Sequence, residues 1–174
     1  MSATGKSSAL AQLRGRGFRV VDTDEPGWTE WSDRDGGYLW REARMAELLS
    51  RATDVTLYVS GTVSNQGRFY PQFDAVVLLS APADVLLERL ERRTTNGYGK
   101  TAEDRELILG HLAEVEPLLR ASCTHELDAT QPLAHVVQRL VDIGQGLQTD
   151  AAARSSVWSS RTRLFLCPQP GPAA

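Results

Sequence analysis

The chain has 174 residues, 41% of them hydrophobic and 24% charged, with a formal net charge of -3 and a pI near 5.6. That composition is one of a single soluble domain large enough to bury a core, and it excludes a strongly basic surface for gripping nucleic acid or an anionic membrane. No apolar run approaches the roughly 20 residues that span a bilayer, and Cys123 and Cys167 stand apart without C-x-x-C spacing, which points to a reducing cytosol.

In chain order, "GKSSALAQLR" combines good helix formers with Leu10 and Leu13 three apart, and Gly15 and Gly17 suit its end. "FRVVDTD" reads as a short strand running into acidic residues. "DGGYLWREARMAELLSRA" reads as a helix with Leu39, Ala43, Ala46 and Leu49 on one face. "DVTLYVSG" is a β-branched strand ending at glycine, and "FDAVVLLSAP" is an apolar run of the kind buried on both faces. Pro82 fits the first turn of a helix bearing Leu86, Leu87 and Leu90. Thr101 with Asp104 resembles a capping box that opens a helix along Ile108, Leu112, Val115 and Leu119. "HELDAT" is a brief strand, and Pro132 starts a last helix with Leu133, Val136, Val137 and Leu140. Strands alternating with helices predict an α/β fold with a parallel sheet between helical layers. The domain is expected over 1–146. Residues 147–174, rich in Ala, Ser, Arg and Pro apart from "RLFLC", read as a disordered tail or as a docking peptide anchored by Trp158 and Phe165.

The opening "MSATGKSS" matches the back half of the phosphate-binding pattern G-x-x-x-x-G-K-[ST], whose first glycine falls one position before Met1. Such a loop, Ala3, Thr4, Gly5, Lys6, Ser7 and Ser8, offers backbone N–H groups and a helix N-terminus to phosphate oxygens. Lys6 is placed to reach the β- and γ-phosphates of ATP, and the Ser7 hydroxyl to ligate Mg²⁺. The alternative is a capped surface helix.

The phosphate loop, "VDTDE", "YVSG", "LERLERRTTNGYGK" and "LDATQPLAHVVQRL", in that order, resemble the small P-loop kinases of the shikimate kinase, gluconate kinase and nucleoside monophosphate kinase group, over roughly residues 2 to 146. The resemblance implies a three-layer P-loop NTPase fold with sheet order 2-3-1-4-5. It implies transfer of the γ-phosphoryl group of ATP to a hydroxyl or phosphate on a small-molecule acceptor, with Mg²⁺, by a cytoplasmic monomer that needs no nucleic acid or membrane. A nucleoside or nucleoside monophosphate kinase is one alternative. A non-catalytic ATP-binding module or inactive truncated form is the other.

On that resemblance Asp22 serves the metal and Asp24 the acceptor, their alternation putting both on one face of an extended segment; a solvated acidic turn is the competing reading. No carboxylate ends the third strand, and no N-K-x-D guanine signature is present. Arg92 and Arg93 are candidates for a lid cation over about 93–101, whereas Arg89 is a nucleotide contact or part of a solvated helix face. Thr130 falls in the adenine-side loop. Trp28, Arg41, Arg44, Gly61 and Arg68, with Asp24, form a candidate acceptor wall, extended by Ser64, Asn65 and Gln66. The aromatics Trp28, Trp31, Tyr38 and Trp40 fit that wall or a core. The central strand, which in this family leads directly into the phosphate loop, is expected to be absent. It is expected instead in an upstream segment of about ten residues or more that holds a short β-branched strand ending in glycine, without which the 174-residue form should be poorly stable.

Overall fold

A computed structural model describes residues 4–51, 55–92, 101–154 and 162–168. Helix α1 spans Lys6–Gly15 and feeds strand β1, Arg19–Asp22. A hairpin follows, β2 (Thr29–Ser32) and β3 (Gly37–Trp40), then α2 (Glu42–Ser50), β4 (Leu57–Ser60) and a 3₁₀ segment, Gln66–Gln72. The rest is β5 (Ala75–Ser80), α3 (Ala83–Arg92), α4 (Ala102–Ser122), β6 (His125–Asp128), α5 (Leu133–Arg154) and β7 (Arg163–Pro168). The expected α/β alternation is present, with the Thr101 side chain accepting from Asp104 N at the start of α4.

Five parallel strands lie in the order β1-β4-β7-β5-β6. The central position is therefore filled by β7, which pairs with β4 from Leu57 opposite Arg163 to Ser60 opposite Leu166. On its other edge it pairs with β5 from Ala75 opposite Leu164 to Leu79 opposite Pro168. The expected absence of a central strand is corrected: the slot is occupied from within this chain. The reading of 147–174 as a disordered tail is corrected for the residues described, because α5 continues to Arg154 and 163–168 are sheet. A docking role for Phe165 is corrected likewise, since its side chain is fully buried; Trp158 lies outside the described residues.

Side-chain alternation explains why "RLFLC" suits this slot. Leu164 and Leu166 enter the core on the α1 and α5 face, with Tyr58, Val77, Leu79, Val137 and Leu140. Phe165 and Cys167 enter the core on the opposite face, with Val59, Leu78, Met45 and Leu49. Phe165 touches the rings of Trp40, Tyr70 and Phe73 at centroid separations of 5.3–5.7 Å. A strand apolar on both faces is what an interior parallel position requires.

The long helix expected over "DGGYLWREARMAELLSRA" is also corrected. Gly37–Trp40 is strand β3, and α2 buries Met45, Leu48 and Leu49 while Ala43 and Ala46 are exposed. The cause is turn chemistry. Gly36 takes a positive φ of 63°, its N–H bonds Ser32 O at 2.9 Å, and the Ser32 hydroxyl donates to Asp35. The aromatic-rich segment after the turn then pairs as a strand rather than entering the helix.

One buried knot fixes the loop after β1 to the loop after β4. The Thr23 hydroxyl donates to Ser60 O at 2.9 Å and accepts from Trp40 Nε1 at 2.8 Å. Asn65 brackets the same tryptophan, accepting from its N–H and donating to its carbonyl. Gly61 passes so close that an added Cβ would lie 1.8 Å from Thr23 Oγ1.

Two outcomes follow from these contacts. Phe165→Ala should lower unfolding free energy by about 3–5 kcal/mol in a urea titration, whereas a disordered tail would leave the midpoint unchanged. Gly61→Ala should destabilise by roughly 1–3 kcal/mol by breaking the Thr23 hydrogen bonds. In a double-mutant cycle, Thr23→Ala plus Gly61→Ala should then cost less than the sum of the two; strict additivity would show that the knot does not couple these positions.

Candidate functional site

All five parallel strands end at one edge of the sheet, the edge where open α/β sheets bind ligands. Helix α1 starts there. Gly5 caps it in the left-handed region, φ 81°, a conformation that glycine takes without a Cβ penalty. The first helical bond, from Ala9 N to Gly5 O at 2.9 Å, leaves the N–H groups of Lys6, Ser7 and Ser8 without an intrahelical acceptor. Thr4 is buried, and the side chains of Ser7 and Ser8 are on the exposed side of the first turn. Ala3 lies outside the described residues.

Lys6 is 4% exposed, which for an ammonium demands a counter-charge. Two carboxylates provide it. Nζ lies 3.1 Å from Asp22 Oδ1 and is also hydrogen-bonded to Asp24 Oδ2. Asp22 ends β1, and Asp24 follows it after the inward-turned Thr23, with Asp24 N donating back to Asp22 Oδ1 at 3.2 Å. The two acids differ in environment: the Asp22 side chain is 16% exposed and that of Asp24 is 50% exposed. The sequence-derived Lys6, Asp22 and Asp24 are thus one cluster at the N-terminus of α1.

Two side chains of this edge escaped the sequence reading. Thr23 is the structural pin described above, and only its place between two acids marks it. Ser60 ends β4 directly opposite Asp22 in the ladder. Its hydroxyl is buried with no hydrogen-bond partner among the described residues. Alternation from Tyr58, which packs in the α1-side core, puts that hydroxyl on the same face as Asp22. A polar atom so placed has a donor and lone pairs to offer a ligand.

A second grouping forms farther along the edge. Arg89 donates to Ala129 O at 2.9 Å, next to Thr130, whose hydroxyl and N–H both bond Asp128 Oδ1. These bonds hold the Asp128 carboxyl below its ordinary range, with the Thr130 hydroxyl the largest cause. Arg89 and Thr130 are brought together, but apart from the Lys6 cluster. Arg92 is exposed and paired with Glu88 at 2.6 Å. Arg93 and the lid positions 93–100 lie outside the described residues, and Thr101 caps α4.

The acceptor-wall candidates are dispersed into different jobs. Trp40 is core. Trp31 and Tyr38 stack edge to face on the hairpin. Arg44 lies 4.1 Å over the Trp28 ring and donates to Gly27 O at 2.7 Å. Arg41 donates to Thr29 O, and Arg68 pairs with Glu42 at 2.6 Å. Asn65 and Gln66 are buried supports rather than wall, Gln66 joining Val63 N, the Tyr70 hydroxyl and Cys167 Sγ. Burial pushes the Cys167 thiol up to about 12, so it is not a thiolate nucleophile.

Among the described residues no group of three or more His, Cys, Asp or Glu is placed to hold a metal ion, and no helix is long and apolar enough to cross a membrane. The donor set present, two carboxylates with serine hydroxyls, fits a cation such as Mg²⁺, which keeps several waters and takes one or two protein carboxylates beside phosphate oxygens.

No family model matches the chain. It is 32% identical over 149 residues to shikimate kinase 2 of Yersinia enterocolitica serotype O:8 / biotype 1B (strain NCTC 13174 / 8081), an alignment covering 78% of this chain and 84% of that protein. With the parallel sheet and a lysine at the N-terminus of α1 already in place, that similarity makes the chain a member of the P-loop kinase family that includes shikimate kinase.

Proposed function

We propose that the protein is an ATP- and Mg²⁺-dependent kinase that transfers the γ-phosphoryl group to a hydroxyl or phosphate of a small molecule. The observation that carries this reading is the Lys6–Asp22–Asp24 cluster at the N-terminus of α1. When bound, ATP supplies the phosphoryl group, and Mg²⁺ neutralises charge across the β- and γ-phosphates. Lys6 compensates phosphate charge at a place otherwise made of backbone donors. Ser7, on the exposed side of the first turn, and Asp22, the more buried acid, hold the cation. Ser60 steadies a water or phosphate oxygen beside Asp22. Asp24 is half exposed at the rim, which suits it to orient an acceptor hydroxyl and take its proton. Arg89 and Thr130 mark the nucleoside side, with Arg89 anchored by its bond to Ala129.

Lys6→Ala should abolish ATP binding in a calorimetric titration while circular dichroism stays native. Asp24→Asn should lower turnover on the order of a hundredfold with ATP affinity changed far less. The acceptor comes from a screen of metabolite pools for phosphorylated products. Unchanged ATP affinity in Lys6→Ala would overturn the nucleotide site. Turnover of Asp24→Asn within twofold of wild type would overturn its assignment to the acceptor.

A further inference from the structure

Among the described residues strand β1 is an edge strand, paired only with β4, so its outer flank has no neighbour there in the sheet. Asp22, with Val20, faces α1. Arg19 and Val21 point the other way, toward α2. On that side a cleft of about 330 Å³ opens between β1, Trp28 and one stripe of α2. The stripe is Arg44, Glu47 and Leu48, spaced as i, i+3 and i+4 on one helical face, with Arg51 just past the helix end. The volume falls within the range of roughly 300–1,000 Å³ usual for small-molecule pockets.

The charge in this cleft is unbalanced. Three arginines line it against one carboxylate, leaving two formal positive charges. Arg51 pairs with Glu47 at 2.5 Å. Arg19 and Arg44 have no carboxylate within 4 Å among the described residues. Arg44 is nevertheless held in place, its guanidinium stacked on Trp28 and one nitrogen donating to Gly27 O. A guanidinium has five N–H donors, so that single bond leaves most of its fork to offer. Arg44, held in place, and Arg19 line one concavity together, and two cations so placed repel one another unless an anion lies between them.

We propose that this flank is a second anion site, distinct from the phosphate loop, for a small molecule bearing two acidic groups, carboxylates or phosphates. Paired guanidinium forks match the planar oxygens of either group. The site lies on the opposite face of β1 from the Lys6 cluster, and the inference does not depend on the kinase reading.

The test uses succinate and inorganic phosphate as probes, titrated calorimetrically into the full chain at constant ionic strength. One-to-one binding of at least one probe is expected. Succinate alone points to a dicarboxylate, phosphate alone to a phosphate ester. Arg19→Gln should weaken that binding about tenfold or more while changing ATP affinity less than twofold; Lys6→Ala should leave it in place. Arg44→Gln serves as a second variant should Arg19→Gln misfold. Absence of saturable binding by either probe would overturn the proposal. So would binding that survives the arginine changes but is lost in Lys6→Ala, which would assign it to the phosphate loop.

Discussion

The central strand is the constraint on which the rest depends. Strands β4 and β5 run parallel with apolar residues on both faces, Leu57, Tyr58 and Val59 in one and Val76 to Leu79 in the other. Their facing edges are therefore beyond the reach of water. Each N–H or C=O left unpaired there would cost roughly 1–3 kcal/mol, and a few such losses rival the 5–15 kcal/mol stability of a whole domain. β7 meets both edges at once, and its four core residues divide between the two layers. Because it runs parallel to both neighbours, the chain turns at the same sheet edge after every strand. The ends of β1 and β4, carrying Asp22 and Ser60, are thereby brought into line beside the start of α1.

At that edge, stability and chemistry use the same charges. A lysine buried at the first position of α1 cannot be left alone, and Asp22 and Asp24 satisfy it. On the proposed reading a phosphate chain arriving at Lys6 replaces those carboxylates as the counter-charge. The two acids released from the ammonium then become available to a hydrated cation and to the acceptor. The exchange keeps the buried ammonium paired at each stage, which is why a lysine between two acids suits a site that alternates between empty and loaded. Thr23 keeps the exchange local: with its hydroxyl committed to Ser60 O and Trp40, the backbone between the two acids is anchored while their side chains are free to change partners.

Much of the fold was legible along the chain. Local sequence signals located α1, β1, β4, β5, α3, α4, β6 and α5: the helices carry one apolar stripe, β4 and β5 are buried on both faces, and the less buried β1 and β6 are short runs that lead into turn residues. The start of α1 was legible because the glycine before it takes the left-handed cap conformation without a Cβ penalty. The hairpin was misread because "LWREARMAELL" satisfies a helical stripe equally well. What decides there is the Asp33–Gly36 turn and the positive φ at Gly36, which commit the following residues to pairing backward with β2. Which of the clustered aromatics and arginines are core was not legible for a related reason. Composition shows that aromatics and arginines cluster, but not that Trp40 turns into the core while Arg44 turns onto Trp28.

The position of β7 belongs to a different category of difficulty. Its short apolar run sits in a stretch rich in Ala, Ser, Arg and Pro, and nothing local states that a segment so late in the chain lies at the centre of the sheet. In the family that the chain resembles, the central strand leads directly into the phosphate loop, and that expectation placed the missing strand ahead of Met1 rather than after α5. The decisive information is a match between distant parts. β4 and β5 each present an edge that needs a parallel partner, and α5 ends on the side of the sheet where such a partner must begin. The "RLFLC" run has alternating apolar side chains of the right size for both layers. Each fact is weak alone. Together they leave the interior slot as the place where all six backbone units and four buried side chains, Leu164, Phe165, Leu166 and Cys167, are satisfied at once.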